Sequence, residues 1–146
     1  MAKRMAVDAS VIVKWYLDDE EHNSQARRLR DDLIEGSIDV IAPSLLVYEV
    51  VNAINVAANR GRLQPADAHL ILRNFLAFSL PTVEGDDLAA EAFALAQSYH
   101  RSAYDAAYMA LAQLLSVPLQ TGDRRLYDAV HRDLPWVLWI GDYPQD

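Results

Sequence analysis

Met5-Ala6-Val7-Asp8-Ala9-Ser10-Val11-Ile12 decides the architecture. The apolar start reads as a buried strand over residues 4–8, since so short a run suits a strand better than a helix. The period then changes, and Val11, Ile12, Trp15 and Tyr16 recur at helical spacing. A strand that delivers straight into a helix, with an aspartate at the junction, is the repeating unit of a parallel sheet.

The rest of the chain repeats that unit. An exposed charged turn over 18–21 leads to a helix over 23–34, stopped by Gly36. A second strand covers 39–42. Pro43-Ser44 opens a third helix that Asn59-Arg60-Gly61 ends, and Pro65 opens a fourth through Leu70, Leu72, Phe75 and Leu76. A strand over 79–83 precedes an Ala-rich helix capped by Asp86 or Asp87. Ser102 caps a sixth helix to about residue 115, and strands over 117–121 and 136–140 follow. The alternation predicts an α/β protein with helices on both faces of a parallel sheet. No repeat, linker or low-complexity segment divides residues 1–146, so one domain is expected.

Four acids stand where such a chain resists charge. Asp8 ends the first apolar run, and Glu49 interrupts Leu45-Leu46-Val47-Tyr48 and Val50-Val51. Asp105 lies within Ala103-Tyr104-Asp105-Ala106-Ala107-Tyr108, and Asp123 closes Pro118-Leu119-Gln120-Thr121-Gly122. Unpaired buried carboxylates are costly and are normally paired, protonated or metal-bound. Asp8 and Asp123 fall at strand carboxyl ends, where open α/β sheets bind ligands. The four segments are therefore expected to meet in one acidic pocket that holds a divalent cation. Each acid alone has an ordinary reading. Asp105 stands at capping-box spacing from Ser102, Asp123 suits a turn or helix cap, and Asp8 caps the helix after it. Glu49, Asn52, Asn55 and Asn59 together make the wet stripe of an amphipathic helix.

Bulk composition narrows the chemistry. The chain has 146 residues, 52% of them hydrophobic, and no cysteine. That excludes thiolate metal sites, disulfides and cysteine nucleophiles, and suits a reducing, cytoplasmic setting. No apolar run is long enough to span a membrane, and the start lacks a signal-peptide pattern. The net charge of -8 argues against generic nucleic-acid binding. It does not exclude a nuclease, because metal-holding acids are neutralised when loaded. His22, His69, His100 and His131 have no ligand spacing and read as surface or packing residues, and Asp128 reads as surface.

Four segments, in order, carry a family resemblance: Val7-Asp8-Ala9-Ser10-Val11-Ile12, then Pro43-Ser44 with Glu49 and Asn52, then Ser102-Ala103-Tyr104-Asp105-Ala106-Ala107-Tyr108, then Leu119-Gln120-Thr121-Gly122-Asp123-Arg124-Arg125-Leu126. The chain resembles PIN-domain ribonucleases, especially VapC-like toxins of VapBC toxin–antitoxin modules. The Tyr-Asp-Ala-Ala-Tyr block followed by Thr-Gly-Asp is its specific part. The resemblance implies a three-layer α/β/α sandwich and cleavage of RNA to a 3′-hydroxyl and a 5′-phosphate. It implies Asp8, Glu49, Asp105 and Asp123 as catalytic metal ligands for Mg²⁺ or Mn²⁺. Ser10, Asn52 and Thr121 match the polar positions beside them, and Arg124 and Arg125 are candidates for substrate phosphates or plain helix-start arginines. A homodimer and an antitoxin partner are also implied. The competing expectations are a magnesium-dependent phosphatase and a non-catalytic protein-binding module on the same fold.

Overall fold

The first apolar run forms β1 (Lys3–Val7), whose last three residues are sealed from solvent. The computed structural model describes residues 2–145. After β1 come α1 (Ala9–Tyr16), α2 (Asn23–Glu35), β2 (Ile38–Pro43), α3 (Leu45–Asn59) and α4 (Pro65–Ala77). Then follow β3 (Thr82–Val83), α5 (Asp86–Tyr99), α6 (Ala103–Leu115), β4 (Leu119–Thr121), α7 (Arg124–Val130) and β5 (Val137–Trp139). A 3₁₀ turn, Ile140–Asp142, closes the run.

All five strands are parallel, in the order β3-β2-β1-β4-β5. From β1 the chain steps one way to β2 and β3, through α1 to α4. It then crosses to β4 and steps the other way to β5, through α5 to α7. Right-handed crossovers in opposite directions put the two helix groups on opposite faces, which gives three layers. The direction reverses between β1 and β4, so the carboxyl ends of those strands flank the sheet's topological switch point.

Val7, Ile12, Leu46, Met109, Leu111 and Leu119 are fully buried and tie sheet to helices. The helix α6 is buried at every position from 106 to 112. Four of those seven residues are alanine, which lets α6 lie close against the sheet and α5. Asp105 thereby directly precedes seven consecutive buried residues of α6.

Several boundaries differ from the sequence reading. Pro43 ends β2 rather than opening α3, and the Ser44 N–H donates to the Val83 carbonyl at 2.9 Å. The third strand shrinks to two residues, because Ser79 takes a left-handed turn with φ 48°. Gly85, not Asp86 or Asp87, holds the cap position of α5. Both aspartates lie instead in its first turn, where the helix dipole favours them. The strand β5 stops at Trp139 because Ile140 enters the 3₁₀ turn.

Candidate functional site

Asp8 follows β1 directly and is the cap residue of α1, accepting the Ser10 N–H at 3.1 Å. Its N–H donates to the Gln120 carbonyl at 3.3 Å, which locks the end of β1 to β4. The hydroxyls of Ser10 and Thr121 donate to its two oxygens, one each. Ser10 Oγ in turn accepts the Gly122 N–H at 2.8 Å, and Thr121 Oγ1 accepts the Asp123 N–H at 3.0 Å. The β1–α1 and β4–α7 junctions are thus knitted around one buried carboxylate.

Asp123 caps α7, and its Oδ1 accepts the N–H groups of Arg125 and Leu126 at 3.0 and 3.2 Å. Asp105 sits in the first turn of α6, where Ser102 Oγ accepts its N–H at 3.0 Å. The serine supplies the cap. Among the described residues, the Asp105 carboxylate itself takes no hydrogen bond, so the capping-box reading leaves its charge unspent. Glu49, half-buried on α3, accepts a hydrogen bond on Oε1 from the Tyr108 hydroxyl.

The charges feel one another. Burial pushes the Asp8 carboxyl up to about 6; the Ser10 and Thr121 hydroxyls pull it down, and the charges of Asp123 and Asp105 push it up again. Burial also raises Asp105, with Asp123 adding to the rise and Arg101 opposing it. Glu49 is raised by burial, lowered by Tyr108 and raised by Asp105. Burial and the Glu49 carboxylate push the Tyr108 hydroxyl far up, so it stays a hydrogen-bond donor at any physiological pH. No member of the acidic quartet joins an ion pair among the described residues.

The four acids share a field but do not close on one point: among the described residues, no three acid or imidazole groups are gathered closely enough to hold an ion. Asp8 is held by hydroxyls, Glu49 by Tyr108 and Asp123 by backbone amides. As chemistry, the donor set suits a hard divalent cation, being all oxygen, anionic and without thiolate or imidazole. Mutual repulsion with no paired cation is the condition that such an ion relieves.

The remaining sequence candidates are placed as follows. Ser10 and Thr121 touch Asp8, as described. Asn52 is exposed, one turn beyond Glu49, with Asn55 and Asn59 on the same wet stripe, and makes no side-chain hydrogen bond among the described residues. Arg124 pairs with Asp128 at 3.2 Å and lies 5.0 Å from the Trp139 ring centroid. Arg125 is exposed. His131 stacks on Tyr127 at 4.3 Å, and His22 meets Trp139 edge-on.

Two residues were missed from sequence. Tyr108 was visible only as part of a motif, and its partner stands 59 positions away. Lys14 was not singled out in the sequence, and it is only 5% exposed. Its Nζ donates to the Glu21 carbonyl at 2.8 Å and stands 3.8 Å from Glu20. Tyr108→Phe is expected to leave the fold intact and lower activity about 10–100-fold, the usual loss when a supporting hydrogen bond to a ligand is removed. The check is kcat and KM beside a melting curve; unchanged kcat would remove Tyr108 from the site.

The family model described as PIN domain matches residues 5–131. The chain belongs to the PIN domain family. Its relatives include Ribonuclease VapC3 of Pyrobaculum aerophilum, 34% identical over 84% of this chain and 92% of the relative. Ribonuclease VapC12 of Mycobacterium tuberculosis is 33% identical over 84% of this chain and 88% of its own. Among solved structures, PAE2754 from Pyrobaculum aerophilum superposes with a TM-score of 0.67 at 25% identity, covering 96% of this chain and 92% of that one. A toxin–antitoxin complex from Klebsiella pneumoniae matches with a TM-score of 0.62 at 19% identity, over 92% of this chain and 95% of that one, and this likeness concerns the PIN fold.

Proposed function

We propose that the chain is a divalent-metal-dependent endoribonuclease and the toxin of a type II toxin–antitoxin pair, its residues 1–146 acting as one PIN domain. The observation that supports this most is electrostatic: Asp8 feels the charges of Asp105 and Asp123, Glu49 feels that of Asp105, and none of the four has an ion-pair partner among the described residues. RNA as substrate rests on the two VapC ribonucleases at 34% and 33% identity.

Asp8 and Asp105 are the main ligands in this reading, completed by Asp123 and Glu49. A bound Mg²⁺ or Mn²⁺ would polarise the scissile phosphate and make a bound water acidic enough to attack. Ser10 and Thr121 hold Asp8 in one orientation, and Tyr108 does the same for Glu49. Glu49, raised by burial, is suited to take the proton of the attacking water through the oxygen that Tyr108 leaves free. Arg124 and Arg125 open α7 directly after Asp123 and are the candidates to contact flanking phosphates. Net charge of -8 opposes long-range attraction of RNA, so binding depends on the loaded site and these arginines.

The partner is an antitoxin, and the chain pairs as a homodimer. Exposed Tyr48, Tyr104, Phe93 and Leu70 supply apolar surface for such contacts. No described helix is long and apolar enough to cross a membrane, and a cytoplasmic location belongs to the same proposal. The test is incubation of purified, antitoxin-free chain with a mixed RNA pool, with Mg²⁺ or Mn²⁺ and with chelator. Cleavage only with metal, leaving 5′-phosphate ends, is the expected result. Intact RNA under all conditions from folded protein would overturn it in favour of a binding module.

A further inference from the structure

Among the described residues Lys14 is the only buried cation. Enclosing an ammonium is costly, so a fold that does so must gain from its charge or its shape. The charge is spent on the loop after α1: Nζ donates to the Glu21 carbonyl at 2.8 Å and lies 3.8 Å from Glu20. The charges that Asp8 feels are those of Asp123 and Asp105. The loop is itself pinned, because Arg62, from the connection between α3 and α4, holds Glu20 at 2.9 Å and Asp19 at 2.6 Å. Lys14 is therefore fixed at both ends, by α1 at its backbone and by a tethered loop at its head.

Between those ends the stem crosses the junction of β4 and α7. A Cβ built at Gly122 would stand 2.5 Å from Lys14 Cε, so the stem rests against the Gly122 backbone. Ser10 lies one turn before Lys14 on the same face of α1, and its Oγ accepts the Gly122 N–H at 2.8 Å. Gly122 is thus seated on two α1 side chains, by a hydrogen bond at its amide and by a methylene beside its Cα. Its chain neighbours are Thr121, whose hydroxyl donates to Asp8, and Asp123 itself. Cε is the last carbon of an unbranched stem, and a shorter side chain at position 14 would leave Gly122 without that support.

We propose that Lys14 is a positioning residue of the acidic site: its stem braces Gly122 and through it the placement of Asp8 and Asp123. The inference rests on the reading of those acids as metal ligands. Lys14→Leu and Lys14→Met separate the stem from the charge. Both variants are uncharged, close in volume and without the tether. Leucine stops one carbon short of Gly122, while methionine carries its terminal methyl to where Cε stood. Exchanging an enclosed ion for an apolar group of similar size is often neutral or stabilising, so both variants should fold. Mn²⁺ binding is measured by calorimetry without RNA, and hydrogen exchange of the Gly122 and Asp123 amides by NMR without metal.

In Lys14→Leu, Mn²⁺ affinity is expected to fall about tenfold, the low end of the usual loss when support of a ligand is removed, and both amides should exchange faster. Lys14→Met should restore most of both. A general loss of stability would not split two apolar variants in this way. Equal weakening in both would assign the effect to the ammonium and overturn the brace. Faster exchange while all three proteins bind Mn²⁺ equally would make Lys14 structural only, and wild-type behaviour of both variants would remove it altogether; either result overturns the inference. A wild type that binds no Mn²⁺, with the exchange difference intact, would sink the metal reading and leave the brace standing.

Discussion

Asp8→Asn is expected to lose RNA cleavage by roughly 10³-fold, or about 4 kcal/mol of transition-state stabilisation, while melting at a higher temperature than wild type in the absence of metal. Both effects have one cause. The folded carboxyl titrates near 6 and its ordinary value is 3.8. Between those values the folded state holds a proton that the unfolded state has released. Stability therefore falls as pH rises through this window, and the loss is complete above it. Two pH units convert to a cost of about 3 kcal/mol at pH 7. Asparagine is uncharged, keeps the shape and remains a good helix cap. It should recover much of that cost at pH 7 and little at pH 4. Added Mg²⁺ should raise the melting temperature of wild type by binding the folded state and leave the variant nearly unmoved. Melting curves from pH 4 to 8, with and without Mg²⁺, check the whole claim. A variant less stable than wild type at pH 7 would mean that hydroxyl contacts, not burial, dominate the energy of Asp8.

That trade of stability for charge explains which parts of the molecule could be read from the chain. Periodicity is a local property, so the strand–helix alternation, the Gly36 stop and the Ser102 cap were legible at Asp8, Gly36 and Ser102 themselves. Strand ends were not, because they depend on partners. The left-handed turn at Ser79, bonded back to Leu76, and the 3₁₀ turn from Ile140 interrupt the apolar runs and leave β3 and β5 shorter than those runs. The four acids could be picked out because each breaks an apolar context. Their supporting residues could not. Tyr108 resembles any core aromatic until Glu49 is seen beside it, Lys14 resembles a surface lysine, and Gln120 resembles an ordinary polar residue in a strand. The side chain of Asn52, by contrast, faces water as its helical stripe suggests. An amide, a hydroxyl or an ammonium becomes conspicuous only through what it touches.

Gly122→Ala is expected to cost about 1–3 kcal/mol, the usual penalty of overpacking, and to lower cleavage by about 10–100-fold through displaced support of a ligand. The cause is space, not backbone conformation. A Cβ built at Gly122 would stand 2.5 Å from Lys14 Cε, 3.2 Å from Ser10 Oγ and 3.4 Å from Ile140 Cγ2. Lys14 cannot simply swing aside, because it is buried and its Nζ is tethered to the Glu21 carbonyl and to Glu20. Ser10 cannot retreat without cost, because its hydroxyl joins the Gly122 N–H to Asp8. An added methyl thus pushes on Ser10, which holds the buried carboxylate of Asp8, and on the tethered Lys14, one residue before Asp123. The clash is separable from other effects by a double-mutant cycle with Lys14→Ala, scored by melting temperature and kcat. If Lys14 is the obstacle, the alanine at 122 should cost less once that side chain is shortened, and part of the activity should return. An equal cost in both backgrounds would rule out Lys14 as the constraint and shift the explanation to Ser10 and its bond to Asp8.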